Sequence, residues 1–87
     1  MQLTFANDEP PDITILADGS RCGTIDAPSV AFPGWRIRLM VTGPDFQGAP
    51  YHWLTLRRVY QNEHAAMGSL ESMWPALQRH YEIWRED

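Results

Sequence analysis

The chain has 87 residues, of which 44% are apolar and 21% are charged, close to the averages for folded soluble domains. These values exclude collagen-like, coiled-coil and fully disordered chains, and the length leaves room for a single small domain. The formal net charge of −4 disfavours a general affinity for nucleic-acid phosphates, because that affinity comes from clustered cations.

Cysteine content and hydropathy indicate the compartment. The single cysteine, Cys22, excludes an internal disulfide framework and a cysteine-only zinc cluster. No apolar run approaches the ~18–20 residues of a membrane span. The first ten residues lack the basic region followed by an apolar region that marks a signal peptide. We therefore expect a cytoplasmic protein without a membrane partner.

The N-terminal residues predict a short strand followed by an arm. Residues 2–5 are compatible with a first strand, and the polar, proline-containing run 7–11 ends it. Two consecutive prolines cannot donate backbone N–H groups to a sheet. We therefore expect one small domain over residues 1–87, with residues 1–12 as a linker or an extended arm.

The clearest local signal is a β-hairpin. Residues 13–16 and 21–25 are rich in strand-forming residues, and Asp18-Gly19 lies between them. This dipeptide favours a tight hairpin turn because both central positions need positive φ. Strict alternation would place Cys22 and Ile25 on opposite faces, whereas a bulge at Gly23 would turn both inward. The register stays open.

Two longer strands follow the hairpin. After a loop over residues 27–34, strand 35–41 alternates between an apolar face and a face that carries Arg36, Arg38 and Met40. After a second loop over residues 42–50, strand 51–60 has no cleanly apolar face. We therefore predict that this last strand is covered on both sides.

The C-terminal third has a helical period. Apolar residues recur there at steps of three or four: Ala66, Met67, Leu70, Met73, Trp74, Leu77, Tyr81 and Trp84. Asn62 is a suitable N-cap. Pro75 interrupts the pattern without changing its phase, so we predict one proline-kinked helix over residues 62–84. The alternative is a short helix that ends near Ser69, followed by a second helix capped by Ser69 or Ser72.

Together these elements predict an α+β fold. The helix stripe and the apolar face of strand 35–41 each need an apolar partner, and each suits the other. The expected architecture is an antiparallel sheet of four to five strands with one C-terminal, proline-kinked helix packed on one face.

Catalytic and metal-binding patterns are absent. His64 and His80 are separated by about 160° around a straight helix, and His52 is far in sequence from any cluster with ligand spacing. The sequence contains no glycine-rich phosphate loop and no nucleophile elbow. Cys22 with a distant histidine is the one nucleophile–base pair to weigh, but a lone hairpin cysteine is usually a small core residue. We expect no metal, no cofactor and no enzymatic activity.

A patch of arginines and aromatic residues is the best candidate site. Arg36 and Arg38 share one face of their strand and could meet an arginine of the next strand across the ladder, beside aromatic rings. The candidate partner-binding residues are Arg36, Arg38, Arg57, Trp53 and Tyr51. The alternative is that arginine stems merely cover an open sheet face, paired with carboxylates, and keep it soluble.

A set of turn and core residues carries a resemblance. The set comprises Asp18, Gly19, Gly23, Ile25, Trp35, Ala65, Ala66, Met67, Trp74 and Pro75. In this order the chain resembles small uncharacterised bacterial and phage proteins that consist of a β-meander followed by a C-terminal helix. The resemblance implies a fold and no activity. Proteins of this size and shape include inhibitors of bacterial defence systems, an analogy at the level of the fold.

The function we expect is therefore non-enzymatic. The leading hypothesis is a protein-interaction or regulatory module, including an anti-defence role, that binds another protein through the exposed sheet face. The alternative is a single-stranded nucleic-acid binder that uses the same arginines, with Trp53 or Tyr51 as a stacking platform. A nucleic-acid partner is disfavoured by the net charge. Homodimerisation is a further route by which so short a chain gains buried surface.

Overall fold

The computed structural model describes residues 1–86 and contains one antiparallel sheet and one helix. The elements in chain order are β1 (Leu3–Glu9), β2 (Asp12–Ala17), β3 (Ser20–Asp26), β4 (Trp35–Thr42), β5 (Tyr51–Tyr60) and α1 (Glu63–His80). The five strands form a meander in the order β1-β2-β3-β4-β5. The predicted α+β fold, an antiparallel sheet with one C-terminal helix, is confirmed.

The short strand predicted over residues 2–5 is present but longer, so residues 3–9 are paired in the sheet and do not form an arm. β1 pairs with β2, with Leu3 opposite Ala17 and Phe5 opposite Ile15. β1 lies at the edge of the sheet, so one of its backbone edges pairs with β2 and the other is not covered by a strand. Its polar residues can therefore face solvent. Pro10 and Pro11 occupy the turn between the two strands, where no ladder N–H is needed.

The Asp-Gly hairpin forms as predicted and its register is settled. Asp18 and Gly19 have φ values of 51° and 83°, the positive values that this turn requires. Ile15 lies opposite Gly23 and the next residue of β2 lies opposite Arg21, so the bulged residue is Cys22 rather than Gly23. The bulge places Cys22 and Ile25 on the same side of the sheet, where both belong to the core cluster that packs against the helix.

One face of the sheet, the inner face, packs against the helix. The helix contacts β3, β4 and β5. The inner-face residues that are completely buried are Ile15, Ala17, Cys22, Ile25, Ile37 and Leu39. On the helix they meet Ala66, Leu70, Trp74 and Leu77. The predicted pairing between the apolar face of β4 and the helix stripe is therefore confirmed.

β5 is an edge strand, which corrects the prediction that it is covered on both sides. Most of its side chains are half-buried or exposed. Its pairing with β4 is interrupted, because Arg36 lies opposite Val59 whereas Arg38 lies opposite Thr55. Three residues of β5, 56–58, thus lie against one residue of β4 and form an irregular stretch with two exposed arginines. Such bulges and charges are a common means of protecting a free sheet edge.

The C-terminal helix is a single helix that continues through Pro75. The Asn62 side chain accepts a hydrogen bond from the Ala65 N–H at 2.8 Å, so the predicted N-cap is confirmed. The helix ends at His80, with Tyr81 as its C-cap in an extended conformation. Trp84 therefore does not belong to the helix stripe, although its spacing fits one. The helical spacing of apolar residues alone does not show where the helix ends.

The residues after the helix return to the sheet. The Thr42 N–H donates to the Glu82 carbonyl, and the Trp84 N–H donates to the Met40 carbonyl. Further along, the Glu86 N–H donates to the Arg21 carbonyl at 2.8 Å. The tail, residues 81–86, thus lies between the start of β3 and the end of β4, which do not pair with each other there.

Candidate binding surface

The outer face is the side of the sheet opposite the helix, and here it denotes the surface formed by Asp26, Arg36, Arg38, Met40 and Trp53. Direct cross-strand pairing brings these residues together: Asp26 lies opposite Arg36, and Met40 lies opposite Trp53. Because opposite residues of antiparallel strands point to the same face, the alternation of β4 places all three of its members on this surface.

Asp26 holds the two arginines. Its Oδ2 atom lies 3.4 Å from Nη1 of Arg38 and 3.9 Å from Nη2 of Arg36. Its Oδ1 atom accepts a 2.7 Å hydrogen bond from the Thr24 hydroxyl. One carboxylate thus sits between two guanidinium groups, and the surface keeps one uncompensated positive charge at this point.

Each of the two arginines also lies over an aromatic ring. The Arg36 guanidinium carbon is 3.8 Å from the centroid of the Phe32 ring, and that of Arg38 is 4.4 Å from the centroid of the Trp53 ring. Both Nε atoms are buried and lack a hydrogen-bond partner within residues 1–86. The guanidinium groups thus lie over the rings, and these contacts order them before any partner arrives.

An aromatic cluster extends the surface towards the tail. Tyr51 meets Trp53 edge-on with 6.1 Å between ring centroids, and it stacks on Trp84 at 5.8 Å. Arg21 lies 5.9 Å from the Trp53 ring. Met40, which the alternation places on this side, is fully buried in spite of facing away from the helix. The outer face thus has a small apolar cluster of its own.

Several apolar side chains remain exposed around the arginines. The exposed fractions are 48% for Phe32, 37% for Trp53 and 53% for Val59, which lies opposite Arg36. Phe32 belongs to the loop after β3 and folds back over Arg36, whereas Val30 in the same loop is fully exposed. Besides Asp26, the arginines therefore have exposed apolar side chains as their neighbours.

The structure brings together four of the five candidate residues. Arg36, Arg38, Trp53 and Tyr51 meet on the outer side of the sheet. Arg57 lies in the irregular stretch of β5 and makes no ion pair or ring contact with them within residues 1–86. Sequence patterns alone do not identify Asp26 as the carboxylate that pairs with Arg36 and Arg38. The one signal in the sequence is its position as an acidic residue directly after the predicted strand 21–25.

Two further arginines, Arg21 and Arg85, are paired with carboxylates. Arg21 Nη1 lies 3.1 Å from Glu86 Oε2, and Arg85 Nη1 lies 3.4 Å from Asp18 Oδ2. Both pairs are half-exposed, so each adds little to stability. Their effect is to reduce the positive field that a phosphate backbone would encounter.

The histidines and the cysteine do not form a site. Residues 1–86 contain no group of three or more histidine, cysteine or acidic residues that could hold a metal ion. Burial raises the pKa of the Cys22 thiol from 9.0 to about 12, against an opposing effect of Arg85. A nucleophilic cysteine needs its pKa lowered, so this environment suppresses the thiolate.

The raised pKa of Cys22 predicts a loss of stability at alkaline pH. Above pH 9.0 the unfolded thiol ionises while the folded thiol stays protonated until about pH 12, so protons are released on unfolding. The free energy of unfolding should then decrease by up to about 1.4 kcal/mol per pH unit in this window. Urea titrations between about pH 8 and pH 10.5 measure the slope.

Cys22→Ala is the control for this measurement. The variant retains every other ionisable group of the chain, so a difference between the two curves reports on the Cys22 thiol. We expect the variant to be less stable at neutral pH but to lose less stability on alkalinisation. Parallel curves for the two proteins would contradict the burial of a protonated thiol.

No family model matches the chain, and neither a curated protein nor a solved structure is significantly similar to it. Within residues 1–86 no helix has both the length and the apolar character needed to cross a membrane.

Proposed function

We propose that this protein is a non-catalytic interaction module that binds another protein through the outer face. The observation that carries the proposal is the pair of arginines, Arg36 and Arg38, ordered on aromatic rings and bordered by exposed apolar side chains. Tryptophan, tyrosine and arginine dominate the energetic centres of protein interfaces. A surface on which such groups are already ordered loses less conformational entropy on binding.

The chemistry of the surface defines the partner. Asp26 compensates one of the two guanidinium groups, so the surface attracts about one further carboxylate rather than an acidic tract. Phe32, Trp53 and Val59 offer apolar contact around it. The fitting partner is a folded protein that presents an apolar patch with a single carboxylate near its centre.

The same geometry separates the proposal from its alternatives. Arginine stems alone could cover the sheet and keep it soluble, but the placement of each guanidinium group over an aromatic ring favours a binding role. For single-stranded nucleic acid, Trp53 is a stacking platform, but Arg21 and Arg85 are paired with carboxylates and the net charge is −4. Phosphate binding needs unpaired cations.

The test is affinity capture from the native host followed by binding measurements with purified partner. Arg36→Glu/Arg38→Glu is an unsuitable variant, because it would place two carboxylates beside Asp26, whose side chain is only 18% exposed. Arg36→Gln/Arg38→Gln removes the charges without this repulsion. We expect it to weaken the complex at least about 30-fold, the effect of losing an interface hot spot.

Arg79→Gln, at an exposed position in the last turn of the helix, is the matched control and should bind the partner as the wild type does. Thermal unfolding of the double variant would check that it is folded. A folded double variant that keeps its full affinity would show that the arginines only solubilise the sheet. Binding of an oligodeoxythymidine that weakens steeply with log[salt] would support the nucleic-acid alternative instead.

A further inference from the structure

A cavity lies between the N-terminal edge of the sheet and the start of the helix. Its volume is about 430 Å³, within the range of small-ligand and peptide side-chain pockets. Buried Ile13 and half-buried Phe5 and Met67 form its apolar floor, while Glu63 and His64 of the first helical turn form its rim. It is on the opposite side of the sheet from the outer face and is independent of it.

The cavity exists because the helix does not cover β1. Near the start of β1 the helix is joined to the N-terminal residue, since the Trp74 indole N–H donates to the Met1 carbonyl at 3.0 Å. At the other end four consecutive residues of β1, 4–7, border the cavity. Successive side chains of a strand point to opposite faces, so a run of four consecutive residues means that the backbone edge itself borders the space.

The backbone of this edge has free hydrogen-bonding groups. The Asp18 N–H donates to the Gln2 carbonyl, and the Gln2 N–H donates to the Asp18 carboxylate, so Gln2 faces β2. Backbone groups alternate in direction along a strand, which turns the N–H and C=O groups of Leu3 and Phe5 away from β2. An added strand would pair with these groups.

Charge at the cavity indicates the kind of strand that fits. Asp8 and Glu9 end β1 and follow directly on the lining residues, and Glu63 stands at the rim. No lysine or arginine lines the cavity. Carboxylates on two sides of an apolar floor complement a segment with an apolar side chain between cationic ones.

We propose that the groove between β1 and α1 is a second binding site, which takes an extended peptide of another protein as a sixth strand alongside β1. One apolar side chain of the peptide enters the cavity over Phe5, Ile13 and Met67. Flanking lysine or arginine side chains meet Glu63 and the acidic end of β1. Main-chain pairing supplies affinity and the cavity supplies specificity.

Synthetic heptapeptides test this site on the full chain. The probes are capped peptides Thr-Lys-Val-Xaa-Val-Lys-Thr, whose lysines share the face of Xaa; Xaa is valine, leucine or phenylalanine, with aspartate as the negative control. We expect at least one apolar peptide to bind with a Kd of about 10–100 μM and to shift the backbone amide NMR signals of Leu3 and Phe5. N-methylation of the peptide's backbone N–H groups that point towards β1 should abolish binding. N-methylation of the N–H groups that point away from β1 should not.

Protein variants locate the site. Met67→Trp fills the cavity, and we expect it to weaken binding at least about tenfold. Glu63→Gln should weaken binding of the apolar peptides, because it removes a carboxylate that their lysines meet. Glu71→Gln, at an exposed helix position away from the cavity, should not. Arg36→Gln/Arg38→Gln should leave peptide binding unchanged, so failure of this proposal and failure of the outer-face proposal are distinguishable.

Three results would overturn the proposal. The first is that no apolar peptide binds at about 1 mM. The second is that both N-methylated isomers bind equally, since strand pairing would then be absent. The third is a stable dimer in sedimentation experiments that Met67→Trp dissociates, because the groove would then hold a second copy of this chain.

Discussion

Replacing Trp74 by alanine is expected to lower the free energy of unfolding by about 3–5 kcal/mol. The Trp74 side chain is only 5% exposed and lies in the core between the helix and the sheet. Its indole N–H also ties the helix to the Met1 carbonyl. Small domains are stable by about 5–15 kcal/mol in total, so this variant should lose a large part of its stability and melt at a much lower temperature. Urea unfolding followed by circular dichroism measures the loss.

Two further substitutions divide this effect into its parts. Trp74→Phe keeps most of the buried ring but removes the hydrogen bond to Met1, and we expect a loss of about 1 kcal/mol from that bond. Trp53→Ala removes a tryptophan from the outer face, where 37% of the side chain is already exposed, and should cost less than Trp74→Ala. If Trp74→Ala melts within a degree or two of the wild type, the helix does not pack on the sheet as described.

Gly23→Ala is expected to destabilise the protein by about 3 kcal/mol, the upper end of the usual range for overpacking. A Cβ atom on Gly23 would overlap the backbone carbonyl oxygen of Arg38 and would lie 3.1 Å from the Leu39 Cα atom. Because these are backbone atoms of the paired strand β4, they can move only if the β3–β4 pairing opens. Denaturant titration of the variant measures the cost.

Gly68→Ala is the matched control for this substitution. Gly68 lies inside the helix, and a Cβ atom there would have no neighbour within 4 Å. Alanine is favoured over glycine in a helix by roughly 1 kcal/mol, so the variant should be more stable than the wild type. A Gly23→Ala variant as stable as the wild type would show that β3 and β4 are not as closely paired as described.

The candidate site was partly predictable from alternation. Alternation along β4 places Arg36 and Arg38 on one face. The next strand in the sequence carries Trp53 and pairs with β4, which brings Trp53 near them. The role of Asp26 depends on the register between β3 and β4, and no local pattern specifies a register across a loop of eight residues, 27–34. Trp84 reaches Tyr51 only because the tail leaves the helix at Tyr81 and returns to the sheet.

Sequence alone determined the elements whose cause is local: the Asp18-Gly19 turn, the Asn62 cap and the alternation of β4. Each depends on backbone conformation or side-chain period over a few residues. Tertiary structure decided three other features: the pairing of β1, the exposure of β5 and the burial of Met40. These depend on which surfaces the rest of the chain covers. The same polar segment can form a paired edge strand or an extended arm, and only contacts with residues distant in sequence select between the two.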